Sequence, residues 1–131
     1  MEHRSPGEIR TYVAPGSERL ERLASILDTL PPERLTFSRW YGDGKGCAIG
    51  LAATIDPWFQ AQGLRLEHDH SLKDCHPVYD GATDWSAAAS FFELSHKELR
   101  DLFDQTGYDG EMRPHPQRVA SRIRKLLASK A

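Results

Sequence analysis

Cysteine is scarce in this chain: Cys47 and Cys75 are the only two in 131 residues. That excludes a disulfide-stapled scaffold and sets a reducing, cytoplasmic compartment as the expectation. No run approaches the ~18 consecutive apolar residues that a membrane span requires. The first fifteen residues hold no apolar block of the kind a secretory leader carries, so none is expected. A basic excess is missing too. The net charge of −2 gives no bulk attraction to nucleic acid or to a membrane surface, and neither is expected as a partner. Hydrophobic content of 39% with 27% charged residues argues against wholesale disorder, and the length suits one domain.

What is present is unevenly spread. Arg113, Arg118, Arg122, Arg124, Lys125 and Lys130 close the chain with no acid among them. The preceding 112 residues hold the other 11 basic groups and all 19 acidic ones, a balance of −8. Such asymmetry marks either an interaction surface or a basic helix laid across an acidic body.

Residues 1–16, with Pro6, Gly7, Pro15 and Gly16, read as a flexible N-terminal arm, and residues 17–131 as one globular domain. Ser17 is the expected N-cap of a first helix whose stripe is Leu20, Leu23, Ile26 or Leu27, and Leu30; Pro31 and Pro32 stop it. Phe37, Trp40 and Tyr41 precede the glycine-rich stretch Gly42–Cys47. The segment Cys47 to Ile55 is apolar all round and rich in small residues, the composition of a buried central helix. Asp56 and Pro57 make an N-cap and N1 pair for a short helix ended by Gly63. Alternation from Leu64 to His70, answered by Cys75 to Tyr79, predicts a β-hairpin that pairs His70 with Cys75. Trp85, Ala88, Ala89 and Phe92 mark a further helix. Ser95 with Glu98 forms a capping box for the next one, expected to run to Gly107. Pro116 opens the last, with Val119, Ile123, Leu126 and Leu127 inward. The predicted fold class is mainly α (α+β): a compact bundle of about five short helices around a small-residue central helix, with one small β-hairpin.

Several of these residues carry a resemblance. Cys47-x-x-Gly50, Pro77-x-Tyr79-x-Gly81, and Ala88-x-x-Phe91-Phe92-x-Leu94-Ser95-x-x-Glu98-x-x-x-Leu102-Phe103, with the Val119-Ala120 pair, resemble a family of small phage, prophage and bacterial proteins over about residues 35–127. Where that family has glycine in its Phe-Phe-Gly-Leu element, this chain has Glu93. The family carries no established activity, so the resemblance implies origin and fold.

Four constellations could carry chemistry. The glycines of 42–46 could cradle an anion, but their spacing is neither a P-loop nor a dinucleotide fingerprint, and a turn explains them as well. Cys47, at a helix N-terminus where a thiol pKa falls, could be a nucleophile with His70 as base, or simply a buried small residue. His68, His70 and Cys75 would share one hairpin face, a partial zinc set lacking its fourth ligand; otherwise no cofactor is expected. Arg118, Arg122 and Lys125 form a row beside the apolar stripe of the last helix. No complete catalytic set is legible. The expected function is therefore a phage- or prophage-type accessory module that binds another protein without catalysis. The binding residues would be Trp40, Tyr41, Trp58 and Tyr108, read as exposed aromatics, with Arg118, Arg122 and Lys125. A cysteine-dependent hydrolase or transferase built on Cys47 is the alternative.

Overall fold

The structure is a computed structural model that describes residues 12–68 and 75–131. The readings placed on residues 1–11 and on 69–74, His70 included, lie outside those residues.

The chain is mainly helical with a small antiparallel sheet. Six α-helices are described: α1 (Gly16–Asp28), α2 (Ala48–Ile55), α3 (Pro57–Ala61), α4 (Asp84–Phe92), α5 (His96–Phe103) and α6 (Pro116–Lys130). Five short strands accompany them: β1 (Tyr41–Gly42), β2 (Lys45–Gly46), β3 (Arg65–His68), β4 (Cys75–Tyr79) and β5 (Ala82–Thr83).

α2 is the central rod that its composition predicts, with every residue from Ala48 to Ala53 buried. Its small side chains have a specific use. A Cβ on Gly50 would lie 1.9 Å from the Trp40 carbonyl oxygen, and one on Gly46 would lie 2.2 Å from the same atom. The segment bearing Trp40 therefore crosses the helix in direct backbone contact, which only glycine admits. α1 buries Leu20, Leu23, Ala24 and Leu27, and α6 packs along it with Val119, Ala120 and Ile123. Full burial of each such large side chain stabilises by about 1.5–3 kcal/mol. Phe59, Phe91, Phe92 and Phe103 run through the core as a chain of tilted and edge-on rings, with centroids 4.9–6.1 Å apart.

α1 begins one residue before Ser17, with Pro15 at the N-cap and no side-chain cap. The cause is tertiary: Gly16 is pressed against the end of α4, where a Cβ would meet the Phe92 carbonyl oxygen at 2.2 Å. Asp56 caps α3 as expected, accepting from the Trp58 amide at 3.0 Å. The Ser95–Glu98 capping box closes in both directions, at 3.1 and 3.0 Å. α5 stops at Phe103 rather than Gly107, because the Asp104 carboxylate accepts from the Thr106 amide and starts a 3₁₀ turn over Gln105–Tyr108. That turn folds Tyr108 inward. Its hydroxyl donates to the Leu102 carbonyl at 2.8 Å and its ring is 1% exposed, so Tyr108 is a core residue and not an exposed aromatic.

The sheet is larger than one hairpin. Asp43-Gly44 and Asp80-Gly81 take positive φ at both residues, 55° and 74°, then 49° and 83°. This is the primed-turn geometry whose twist matches paired strands, and it adds β1–β2 and β4–β5. The expected hairpin forms between β3 and β4, but with His68 opposite Cys75. A shift of two residues keeps side-chain parity, so His68, Cys75 and Leu66 still share a face, with Glu67 and His76 on the other. Pro77, in the middle of β4, faces a stretch between the pairings to β1 (at Cys75) and β5 (from Val78), where no neighbour among the described residues needs its missing N–H.

Candidate functional site

Cys47 lies at the floor of a cleft of about 220 Å³, walled by Phe37, Arg39, Trp40, Trp85, Phe103 and Asp104. The Trp40 and Trp85 rings meet edge-on with centroids 4.9 Å apart. Although Cys47 caps α2, its thiol behaves opposite to the expectation for a helix N-terminus. Burial, at 4% exposure, pushes the thiol up to about 11, and the amides of Gly50 and Ile49 offset only part of that. At neutral pH the group is a protonated, desolvated thiol, and no histidine lines the cleft among the described residues. A nucleophile needs the thiolate and a base; this position has the features of core packing.

His68 and Cys75 do come together: Nδ1 and Sγ are 3.9 Å apart across the β3–β4 pair. They are two donors of the zinc set, and His70, the third, lies outside the described residues. No group of three or more His, Cys, Asp or Glu side chains is placed to hold a metal ion among the described residues. The glycine stretch 42–46 is the tight β1–β2 turn, its backbone held by strand pairing.

Of the aromatics proposed for binding, Trp40, Tyr41 and Trp58 are half-buried. Trp40 rests on Trp85; Trp58 stands edge-on to Phe59 at 5.2 Å, under the Arg22 guanidinium at 4.6 Å, which pairs with Asp56 at 2.7 Å. Tyr41 packs against the core from β1. Trp40, Trp58 and the basic row line three different hollows and do not form one surface.

The basic row lines the largest of these, a groove of about 790 Å³ between α5 and α6. Leu102 and Leu126 are its apolar lining. Arg118, Arg122 and Lys125 form one wall, and Glu98, Asp101 and Asp109 form the other. Arg118 pairs with Glu111 at 3.1 Å. Arg122 donates to the Gly107 carbonyl and stacks its guanidinium over Tyr108, 4.6 Å from the ring centre. Lys125 is exposed and has no side-chain partner among the described residues. Periodicity placed the cations on one side of α6, but the facing acids come from α5 (Glu98, Asp101) and from the turn after it (Asp109), which no local pattern announces.

No helix among the described residues is long and apolar enough to cross a membrane. Comparison with protein-family models, curated proteins and solved structures finds no match.

Proposed function

We propose that this chain is a non-enzymatic protein-binding module, a cytoplasmic accessory protein of the phage or prophage type, and that the α5–α6 groove is its contact surface. The phage assignment rests on the resemblance of the Cys47-x-x-Gly50 and Phe91-Phe92-x-Leu94-Ser95 elements. The binding assignment is carried by one observation: a hollow lined by Leu102 and Leu126 together with side chains of opposite charge. A short amphipathic segment of a partner protein suits it, apolar side down, with a basic group towards Asp101 and Asp109 and an acidic group towards Lys125. The protonated, buried Cys47 supports binding over covalent catalysis.

The experiment is affinity capture with the wild-type chain and with Lys125→Glu and Asp109→Lys, both at exposed positions, after their melting curves are shown to match. A protein retained by the wild type and lost, at least about tenfold, by either variant supports the groove. The same protein retained equally by all three removes the groove from the reading. Time-dependent acylation of Cys47 by ester substrates would replace the reading with the enzyme alternative.

A further inference from the structure

Among the described residues the sheet runs β2-β1-β4-β3, so there β3 is its margin and pairs on one side only. Arg65, Glu67 and His68 are exposed, while Leu66 packs against the core. Leu66 sits opposite Pro77. Proline has no N–H to give, so Leu66–Pro77 suits the non-hydrogen-bonded kind of antiparallel pair, and the main-chain N–H and C=O of Leu66 then point to the open side. Native sheets usually blunt such an edge with short strands, charged side chains, proline or a bulge. β3 is short and charged but has no proline, and its charges are not of one sign. It has Arg65 and Glu67, opposite charges two residues apart on one face, neither engaged in an ion pair or side-chain hydrogen bond among the described residues.

We propose that β3 is a self-association edge, joining two copies of this chain antiparallel about a two-fold axis at Leu66. The sequence Arg65-Leu66-Glu67 is its own charge complement under that operation. Leu66 faces Leu66 of the partner subunit and exchanges both main-chain hydrogen bonds with it. Arg65 then stands directly across from the partner's Glu67, and Glu67 from the partner's Arg65. Directly opposite residues share a face with Cβ atoms ~5 Å apart, so both pairs close. Parallel, in-register pairing would instead set Arg65 against the partner's Arg65, and the charges select against it. The interface is isologous, so it closes at two copies and does not propagate. A four-residue strand makes a small interface, and the association is weak and concentration-dependent.

Sedimentation of the full chain from micromolar to near-millimolar concentration tests this. The wild type is expected to move from monomer to dimer. Arg65→Glu and Glu67→Arg each place like charges opposite one another and should weaken the dimer at least about tenfold while leaving the melting curve unchanged. The double variant R65E/E67R restores complementarity and should dimerise as the wild type does. An equimolar mixture of R65E with E67R should form a heterodimer that neither forms alone. A wild type that stays monomeric throughout, single reversals without effect, or a mixture that fails to associate would each overturn the proposal. None of these outcomes bears on the α5–α6 groove, which lies on other elements.

Discussion

Glu93 ends α4 with φ +57° and ψ +47°, the left-handed region, at the position where the resembling family places glycine. Its side chain is exposed and makes no hydrogen bond or ion pair among the described residues, so removing it sacrifices no polar contact. An L-residue in this conformation costs about 1–2 kcal/mol relative to glycine. Glycine returns about 0.4–1 kcal/mol of that through the greater freedom of its unfolded chain. Glu93→Gly should therefore stabilise the fold by about 0.5–1 kcal/mol. With ~2.1 cal/mol/K of unfolding entropy per residue over this length, Tm should rise by about 2–4 °C. Thermal and urea melts of the wild type, E93G and E93A separate causes. Alanine removes the same carboxylate but keeps the Cβ, so E93A should show no comparable gain. Equal gains in the two variants would assign the effect to charge, and a loss in E93G would mean that the αL ending of α4 is wrong.

Three further outcomes follow from burial and close approach. Gly50→Ala should cost more than about 3 kcal/mol, or abolish folding, because a Cβ 1.9 Å from the Trp40 carbonyl oxygen overwhelms the ~1 kcal/mol helix-propensity gain; a melt near wild type would show that the crossing segment can move away. Tyr108→Phe strands the Leu102 carbonyl and should lower stability by about 1–2 kcal/mol in urea unfolding, whereas a solvent-facing Tyr108 would give no change. Cys47 should resist alkylation at pH 8, where about one thiol in a thousand is ionised, while the half-exposed Cys75 is modified; equal labelling in peptide mass spectra would contradict its burial. The same burial makes stability fall on the alkaline side. The unfolded thiol ionises near 9 and the folded one near 11, so a contribution intact below pH 9 is lost towards pH 11, by ~1.4 kcal/mol per pH unit. Cys47→Ala should flatten that decline, leaving the part contributed by Tyr108, which burial pushes up to about 12.

The elements legible in the sequence are those whose cause is local. Leu20, Leu23 and Leu27 recur at helical spacing, Asp56-Pro57 and Ser95–Glu98 cap their own helices, and the all-apolar segment after Cys47 has no choice but the interior. What escaped has two causes. The Asp43-Gly44 and Asp80-Gly81 turns are local and were readable, since Asp-Gly is the strongest short hairpin signal, but two-residue strands give no alternation to confirm them. The rest is tertiary. Gly16 displaces Ser17 from the cap because the end of α4 presses on it, and Tyr108 is buried because Asp104 redirects the chain. Arg19 is 2% exposed, held by the Phe91 carbonyl and Gln62 and stacked on the Phe91 ring, a burial that its type argues against. At the groove, one wall was readable from α6 alone; the other required knowing that α5 lies beside it.

The charge asymmetry between the last helix and the rest is largely spent inside the molecule. Arg124 clasps Asp28 at 2.6 Å and reaches Glu21 at 3.5 Å, fastening α6 to α1; Lys130 meets Glu98 at 2.9 Å; Arg118 meets Glu111, and Arg122 a carbonyl and a ring. Of the six closing cations, Arg113 and Lys125 have no side-chain partner among the described residues. A ligand recognised through phosphates would release counterions in proportion to the cations it meets, with a slope of ~0.9 per phosphate in log affinity against log salt. On this closing segment, two free cations limit that slope to about two. A protein segment seated on Leu102 and Leu126 between walls of opposite sign has a near-neutral site and should lose still less. Titrating a captured partner at rising ionic strength distinguishes the cases: a shallow loss agrees with an apolar lining carrying the affinity. A loss steeper than two decades per decade of salt would mean that the ion pairs on α6 open to admit a polyanion, and that the helix serves its ligand before it serves the fold.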